Sequence, residues 1–471
     1  MELMSQKIVK SRSEEWENNQ IAWMEQDLAV CGGKAWTDHA IHLHYLESSL
    51  LYTSQGCETR HYARRFYATN AVPVRPAIQK VQNSAQASQG DYSLNVGNEY
   101  MQNILDTDID GAGNSSYNWI TGKPLEKACA NSKVFIGFKI PPAEQATVTV
   151  ADYNMGRVKP PCWFYLCARD VYNCVEKDGP IEDGQFSQIL YSATYPEIDP
   201  TTGFVKHCPA VVLYTEEEII TYSESGRKVL NREPNTLGYV PIWEVNIGES
   251  LIGEGVQYSK LAVELESLAT SNMRDGYFNI IQSLGFEVDG PLNADTLVIT
   301  PESDNKIEFA APNTAPEVET REKIKALQEQ FENSVQQAHS NFSRGGATIG
   351  SGVAYKEMGS QQAQSVKFIM DTLLEKFCVS VKCAMKAIGQ MGEIEFKKPM
   401  SYEFVSEDNK IEQAEALEAL TSTALSPESK KAINSKKLEK LFPDAEFRKI
   451  LIEADNAAID GGADSIPEYM G

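Results

Sequence analysis

Apolar residues recur at helical spacing in three long stretches of the second half of the chain, and each stretch predicts a helix. The stretches cover residues 253–283, 315–342 and 353–391. At a rise of about 1.5 Å per residue, the first helix would be roughly 45 Å long and the third roughly 58 Å. One globular core does not need helices of this length, so we expect a mechanical element such as a spoke or the wall of a channel. The apolar stripes themselves indicate core packing rather than a ligand site.

Two non-helical segments separate these helices. Residues 284–314 hold short apolar runs with turn residues between them and predict a β excursion. Residues 343–352 include four glycines between Gly345 and Gly352, which predicts a flexible loop or hinge. A phosphate-binding loop would need a lysine where Ser351 stands and a strand where a helix is predicted, so we reject nucleotide binding.

The first half of the chain changes from a helical to a strand pattern near Lys133. A helix is predicted over residues 11–30, with Ser13 as its cap and with Gly32 and Gly33 at its end. Further helices are predicted at 38–70, 76–88, 92–106 and 124–131. Strands are predicted at 134–140, 146–150, 162–166, 185–193, 204–214, 217–223, 227–231 and 239–245. Short helices and a loose tail follow at 401–471, so the fold class is α+β, mainly α.

The charge balance limits the interactions that the chain can make. Lys and Arg total 43 against 66 Asp and Glu, which gives a formal net charge of −23. This argues against tight nucleic-acid binding, which needs a basic surface, but not against a surface past which DNA slides. We find no run of eighteen apolar residues and no apolar segment at the N-terminus, so we expect no membrane span and no secretory signal. Nine cysteines without a CxxC pair fit free thiols.

Candidate metal ligands occur in two places, and neither pattern is complete. Asp106, Asp108 and Asp110 match the first half of a calcium loop, but Tyr117 stands where that loop needs a bidentate carboxylate. His39, His42 and His44 cluster, yet only the first two share a helix face. We therefore expect no metal, no cofactor and no enzymatic activity.

Three motifs in order resemble the portal proteins of tailed bacteriophages, the ring-forming head-to-tail connectors. The motifs are Val240-Pro-Ile-Trp-Glu-Val-Asn, Tyr258-Ser-Lys-Leu-Ala-Val-Glu-Leu and Ser351-Gly-Val-Ala-Tyr-Lys-Glu-Met. Later segments are similar too, from Asn409-Lys-Ile-Glu-Gln-Ala to Pro443-Asp-Ala-Glu-Phe. Residues 1–30 have no counterpart in the family. The resemblance implies an N-terminal helical extension (1–30), a wing (31–252), stem helices (253–283 and 315–342), a clip (284–314), a tunnel loop (343–352), a long helix and strand (353–400) and a helical crown with a tail (401–471).

The function that the resemblance implies is that of a ring, commonly of twelve copies, at one capsid vertex. Double-stranded DNA would be packaged and later ejected through this ring without sequence specificity. The implied partners are the terminase large subunit, the major capsid protein and scaffold, and the neck or tail adaptor proteins. The implied location is the virion, with assembly in the host cytoplasm.

The resemblance also implies three groups of site residues. The tunnel loop contributes Ser343, Arg344, Gly345, Gly346, Thr348, Gly350 and Ser351. The clip residues that would dock the adaptor or the terminase are Asp289, Asn293, Asp295, Thr300 and Glu302. The stem residues that would contact DNA are Lys260 and Arg274. An equally good interpretation is that these two residues lie on solvated helix faces or form ion pairs between subunits.

Two alternatives remain open. The chain could be a capsid-associated scaffold or adaptor that binds protein and lines no channel. It could also be a carboxylate-metal hydrolase that uses Asp106, Asp108 and Asp110.

Overall fold

A computed structural model of the chain shows an α+β fold. It describes residues 2–40, 70–140, 160–198, 204–277, 280–284, 306–310, 315–342, 354–389, 394–399 and 402. The helices are α1 (Glu2–Val9), α2 (Glu14–Cys31), α3 (Arg75–Ala87), α4 (Glu99–Thr107), α5 (Ser116–Thr121), α6 (Lys123–Asn131), α7 (Gly255–Tyr277), α8 (Ala315–Phe342) and α9 (Ala354–Ala387), and residues 33–40 are helical as well. The strands are β1 (Ser93–Asn95), β2 (Lys133–Lys139), β3 (Cys162–Cys167), β4 (Val171–Glu176), β5 (Phe186–Ile198), β6 (Val205–Thr215), β7 (Glu218–Ser223), β8 (Val229–Pro234), β9 (Ile242–Asn246), β10 (Ile280–Leu284), β11 (Lys306–Ala310) and β12 (Glu395–Lys397).

Helix α2, predicted over 11–30, begins after the predicted cap Ser13 and ends at the predicted Gly32, whereas residues 11–13 are not helical. The side chain of Ser13 accepts a hydrogen bond from the Trp16 N–H at 3.2 Å, which satisfies one of the backbone donors that a helix start leaves open. Gly32 ends the helix with a φ of 64°, a conformation that glycine adopts without strain.

The helix predicted over 92–106 is wrong in its first third. Residues Ser93–Asn95 form β1, which pairs antiparallel with β12 so that Leu94 lies opposite Phe396. The backbone of Gly97 has a φ of 64°, and Asn98 then caps α4 through the Met101 N–H. A left-handed glycine followed by a capping residue starts a new helix, which is why α4 begins only at Glu99.

Two antiparallel sheets form the β module that precedes α7. One has three strands in the order β3-β2-β9, and the other is a five-stranded meander in the order β4-β5-β6-β7-β8. Phe135 and Ile242 of the smaller sheet pack on Phe186 and Ile189 of the larger one. The opposite face of the larger sheet is covered by Val9 of α1.

The long helix α9 lies in the main core. Val366, Ile369, Leu373, Phe377 and Val381 are fully buried along it. The core packing that its apolar stripe predicts is therefore confirmed for this part of the helix.

Side chains from the β module anchor α9 as well. The indole of Trp163 on β3 donates a hydrogen bond of 2.9 Å to the buried Ser380 hydroxyl. The phenol of Tyr239, just before β9, donates one of 3.3 Å to the Cys383 carbonyl. The third long helix thus joins the small sheet to the helices around it.

Two of the predicted long helices, 253–283 and 315–342, can be compared directly with observed elements. Helix α8 spans Ala315–Phe342, the range expected for the second long helix. Helix α7 ends at Tyr277, and Ile280–Leu284 is a strand, so the helix predicted over 253–283 is too long at its C-terminal end. In the structure Ile281 lies opposite Phe309, so its apolar side chain belongs to a β pair. Residues 41–69 of the predicted helix 38–70, the predicted strand at 146–150 and all of the predicted crown at 401–471 except residue 402 lie outside the described residues.

Candidate functional site

Helices α7 and α8 and strands β10 and β11 form one elongated hairpin. Strand β10 begins three residues after α7 ends and pairs antiparallel with β11, from Ile280 opposite Ala310 to Leu284 opposite Lys306. Helix α7 has 23 residues and α8 has 28, which correspond to lengths of roughly 34 and 42 Å. Asn341, at the end of α8, donates a hydrogen bond of 2.9 Å to Glu249, shortly before α7, so the two helices run antiparallel. This hairpin is the part of the chain that the sequence assigns to the stem and the clip.

The two helices are held together by a narrow apolar contact. Leu327, Phe331 and Ala338 are buried along α8, at intervals of four and seven residues. Phe331 packs directly against the backbone of Gly255, where an added Cβ would lie 2.5 Å from the ring. Gly255 therefore permits an approach that any other residue at this position would obstruct.

Most of the α8 surface stays exposed and carries both signs of charge. Between Val318 and His339 only four described side chains are buried, and three of them make the apolar contact with α7 or continue it. The exposed charged residues are Glu319, Arg321, Glu322, Lys323, Lys325, Glu329 and Glu332. A helix this weakly covered by its own chain has a broad polar face for water, for a second copy or for a polyanion.

Lys260 does not lie where a contact with DNA would place it. The residue is 8% exposed, and its ammonium lies 2.7 Å from a Glu25 carboxylate oxygen. The same oxygen lies 3.2 Å from His39, and Gln257 donates to the other oxygen at 3.3 Å. The predicted DNA contact at Lys260 is not supported by this position. The observed ion pair lies within one chain, so it is neither the solvated face nor the pair between subunits that the alternative interpretation expected. Arg274 lies in α7, and nothing is described of its side chain.

Helix α2 is tied to three other elements by ion pairs. Glu15 contacts Lys133 of β2 at 2.7 Å, Asp27 contacts Lys127 of α6 at 2.6 Å, and Glu25 contacts Lys260 of α7. Sequence reasoning missed these pairs, because the partners are separated by about a hundred residues or more along the chain. The run Glu25-Gln26-Asp27 is polar, and only the structure shows that it is buried.

The ion pairs change the acidity of the groups that form them. Burial alone would raise the pKa of Glu25, but the hydrogen bonds from Lys260 and His39 outweigh it and lower the pKa. Burial would lower the pKa of Lys127, yet its hydrogen bond with Asp27 raises it. The charged forms are therefore the stable ones, and α2 holds the base of α7 electrostatically.

A histidine joins the helices on either side of the predicted tunnel loop. His339, near the end of α8, shares a hydrogen bond with Ser365 near the start of α9, and both side chains are buried. Burial, with a smaller contribution from Lys80, lowers the pKa of His339 to about 4. The imidazole is therefore neutral near pH 7. The loop residues named in the sequence, Ser343, Arg344, Gly345, Gly346, Thr348, Gly350 and Ser351, lie outside the described part of the chain.

The aspartates of the calcium-like segment form a turn with their own backbone. Asp108 accepts a hydrogen bond from the Gly113 N–H at 2.8 Å, and Asp110 accepts one from the Ala112 N–H at 3.0 Å. Among the described residues, no three His, Cys, Asp or Glu side chains converge as metal ligands would. The predicted clip residues Asp289, Asn293, Asp295, Thr300 and Glu302 lie outside the described residues.

Comparison of the chain with protein-family models and with curated proteins finds no match. Of the helices that the structure describes, none has the combined length and apolar content of a membrane span.

Proposed function

We propose that this chain is a portal protein of a tailed phage, which assembles into a ring around a channel for double-stranded DNA. One observation carries the proposal: the elements follow each other as the resemblance implies. A β module ends in β9, the α7–β10/β11–α8 hairpin follows, and the long helix α9 comes next along the chain.

The stem hairpin has features that suit the wall of a channel. Helix α7 packs against the body of the chain through Val256, Ala262 and Val263, whereas α8 presents a mixed polar face. In a ring, such faces would line a bore or contact the next copy. With a formal net charge of −23 per copy, the ring would repel phosphates overall, so DNA would slide rather than be held.

The implied partners are part of the same proposal. The β10/β11 ribbon marks the end of the hairpin where the clip would dock the terminase large subunit and later the neck or tail adaptor. The major capsid protein and scaffold would contact the wing, and the loop over 343–352 would face the DNA.

The test is the assembly state of the purified full-length chain, measured by native mass spectrometry and by averaged particle images. We expect closed rings near twelve copies with a central hole. A chain that stays monomeric at all concentrations and salt conditions would contradict the proposal, and compact oligomers without a hole would favour the scaffold or adaptor alternative.

A further inference from the structure

The chain between Gln6 and Ser13 crosses the outer face of the larger sheet. Ser13 lies at β4, where its N–H donates a hydrogen bond of 2.9 Å to the Tyr172 carbonyl. Gln6 lies at the turn after β7, because a Cβ added at Gly226 would come within 3.0 Å of the Gln6 Cα. In the strand order β4-β5-β6-β7-β8, the connection between them spans three strand spacings, or roughly 14 Å. We call residues 6–13 the strap.

One buried side chain fastens the strap to the sheet. Val9 is 3% exposed and packs among four residues of β5, β6 and β7, namely Leu190, Val211, Ile220 and Tyr222. Because these residues come from three neighbouring strands, the strap contacts the sheet across most of its width.

An aromatic and polar contact fixes the other end of the strap at β4. The Arg12 guanidinium lies 3.8 Å from the centre of the Tyr172 ring and 5.0 Å from that of Trp16. The Trp16 indole also donates a hydrogen bond of 2.7 Å to the Arg169 carbonyl, just before β4. We call Arg12, Trp16 and Tyr172 the joint. Since Trp16 belongs to the first turn of α2, the joint links the sheet directly to that helix.

Helix α2 continues from the joint to the base of the stem. From Trp16 to Glu25 it advances by nine residues, or roughly 14 Å. The Glu25 carboxylate lies 2.7 Å from the Lys260 ammonium of α7 and accepts a hydrogen bond of 3.3 Å from Gln257. Glu25 is 6% exposed, so this ion pair is shielded from water and is stronger than a surface pair.

The apolar residues of the same segment belong to two different clusters. Val9 packs in the cluster on the outer face of the larger sheet. Ala29 and Val30 pack in the main core, which also contains Val256 and Ala262 of α7. One continuous segment therefore takes part in both clusters and joins them through its backbone.

We propose that residues 6–31 form a brace that couples the larger sheet to the base of α7. The strap and the joint hold the brace at the sheet, and Glu25 holds it at α7. Coupling between distant parts of a protein is carried by packed side chains, ion pairs and rigid helices, and the brace contains all three. Loosening the joint should therefore loosen the base of α7.

The brace gives a role to the part of the chain that the portal resemblance leaves unexplained, since residues 1–30 have no counterpart in that family. The coupling is a property of a single chain and does not require copies to assemble. Failure of the portal proposal would therefore leave it standing.

The first test loosens the joint in the full-length chain with Arg12→Ala and Trp16→Phe, singly and together, and measures amide hydrogen exchange by mass spectrometry. Arg12→Ala removes the cation from the Tyr172 ring, and Trp16→Phe removes the indole N–H. In the double variant we expect exchange to become about tenfold faster in the strap and at residues 255–265 of α7, with residues 366–381 of α9 unchanged. Each single variant should change the same regions by less.

The matched control is Lys10→Ala, which removes an exposed cation of the strap outside the joint and should leave α7 unchanged. Faster exchange confined to the strap and β4 would overturn the coupling. Exchange that becomes equally faster throughout the chain, α9 included, would also overturn it, because it reports a loss of global stability alone.

The second test disconnects the brace at its other end. Glu25→Gln with Lys260→Met removes the ion pair without leaving a buried charge unpaired. In this background the joint variants should change exchange at residues 255–265 by less than about twofold. Arg232→Met, which removes an exposed ion pair with Glu218, is the control background and should preserve the full response. A tenfold response that persists without the Glu25–Lys260 pair, or one that is lost equally with Arg232→Met, would overturn the assignment of the brace.

Discussion

The ring of Phe331 packs against Gly255 so closely that a Cβ on Gly255 would lie 2.5 Å from it. This contact sets the spacing of α7 and α8 where α7 begins. Few real Cβ contacts are shorter than about 3.4 Å, so one of the two helices must shift when the glycine is replaced. The packing of α7 against α8 at this end of the hairpin therefore requires that residue 255 has no Cβ.

We predict that Gly255→Ala destabilises the chain by about 1–3 kcal/mol, the usual cost of inserting a group into a packed contact. The measurement is the free energy of unfolding in urea. Gly90→Ala is the control, because a Cβ at Gly90 meets no atom within 4 Å, and it should leave stability nearly unchanged. The added variant Phe331→Leu should recover part of the loss, and strictly additive effects would show that the two residues are not coupled.

The ion pair between Glu25 and Lys260 leads to a second prediction. Lys260→Met should cost roughly 3–5 kcal/mol, because it leaves the Glu25 carboxylate buried without its closest partner. The double variant Lys260→Met with Glu25→Gln should lose less free energy of unfolding than Lys260→Met alone, because it leaves no uncompensated charge at position 25. Arg232→Met removes an exposed pair with Glu218 and should cost less than about 1 kcal/mol in the same unfolding assay.

The same pair predicts a pH dependence with a defined sign. The pKa of Glu25 is lowered in the folded state, so the unfolded chain binds the proton first as pH falls. The stabilisation is complete above the ordinary pKa of a glutamate and is lost as pH falls through the lower folded pKa. Glu25→Gln should flatten the unfolding free energy in this acidic range, and an unchanged slope would show that the carboxylate is not held in its charged form.

His339 gives a fourth prediction, in a different pH range. Its pKa of about 4 in the folded state lies below the 6.5 of an ordinary histidine, so the unfolded chain takes up the proton first. Stability should fall between pH 6.5 and 4, by about 3 kcal/mol in total. His339→Gln should remove this slope, whereas His207→Gln, at an exposed position of β6, should not. Equal slopes in both variants would contradict a buried neutral imidazole.

Local signals in the sequence were enough for the elements that local chemistry determines. Ser13 and Gly32 delimit α2, and the apolar stripe of α8 together with its flanking turns gives the bounds Ala315–Phe342. The apolar pattern of the first long helix was misleading at Ile281, because an apolar residue after a helix fits a β pair as well as one more helical turn. The helix predicted over 92–106 was wrong at β1, because the strand's partner β12 lies some 300 residues further along the chain.

The candidate site was harder to predict because its contacts are long-range. Lys260 was named as a DNA contact from its place on a helix that the sequence assigns to the channel wall. Its actual partner, Glu25, is 235 residues away, and no local pattern links the two. The close approach of Phe331 to Gly255 was missed for the same reason, since a glycine near a helix start has many explanations until its neighbour is known.

The loop that the sequence predicts at 343–352 gives the last prediction, which separates a portal from a scaffold. If Gly345, Gly346 and Gly350 let the loop move around passing DNA, bulky side chains there should hinder that motion. We expect Gly346→Trp to leave rings intact but to reduce nuclease-protected DNA at least tenfold in particles assembled with the variant. Gly90→Trp, a bulky change at an open position outside the loop, should package normally. Normal packaging by Gly346→Trp and by the corresponding variants at Gly345 and Gly350 would argue that the loop does not face DNA and would favour a scaffold or adaptor, because such a protein has no moving polymer to obstruct.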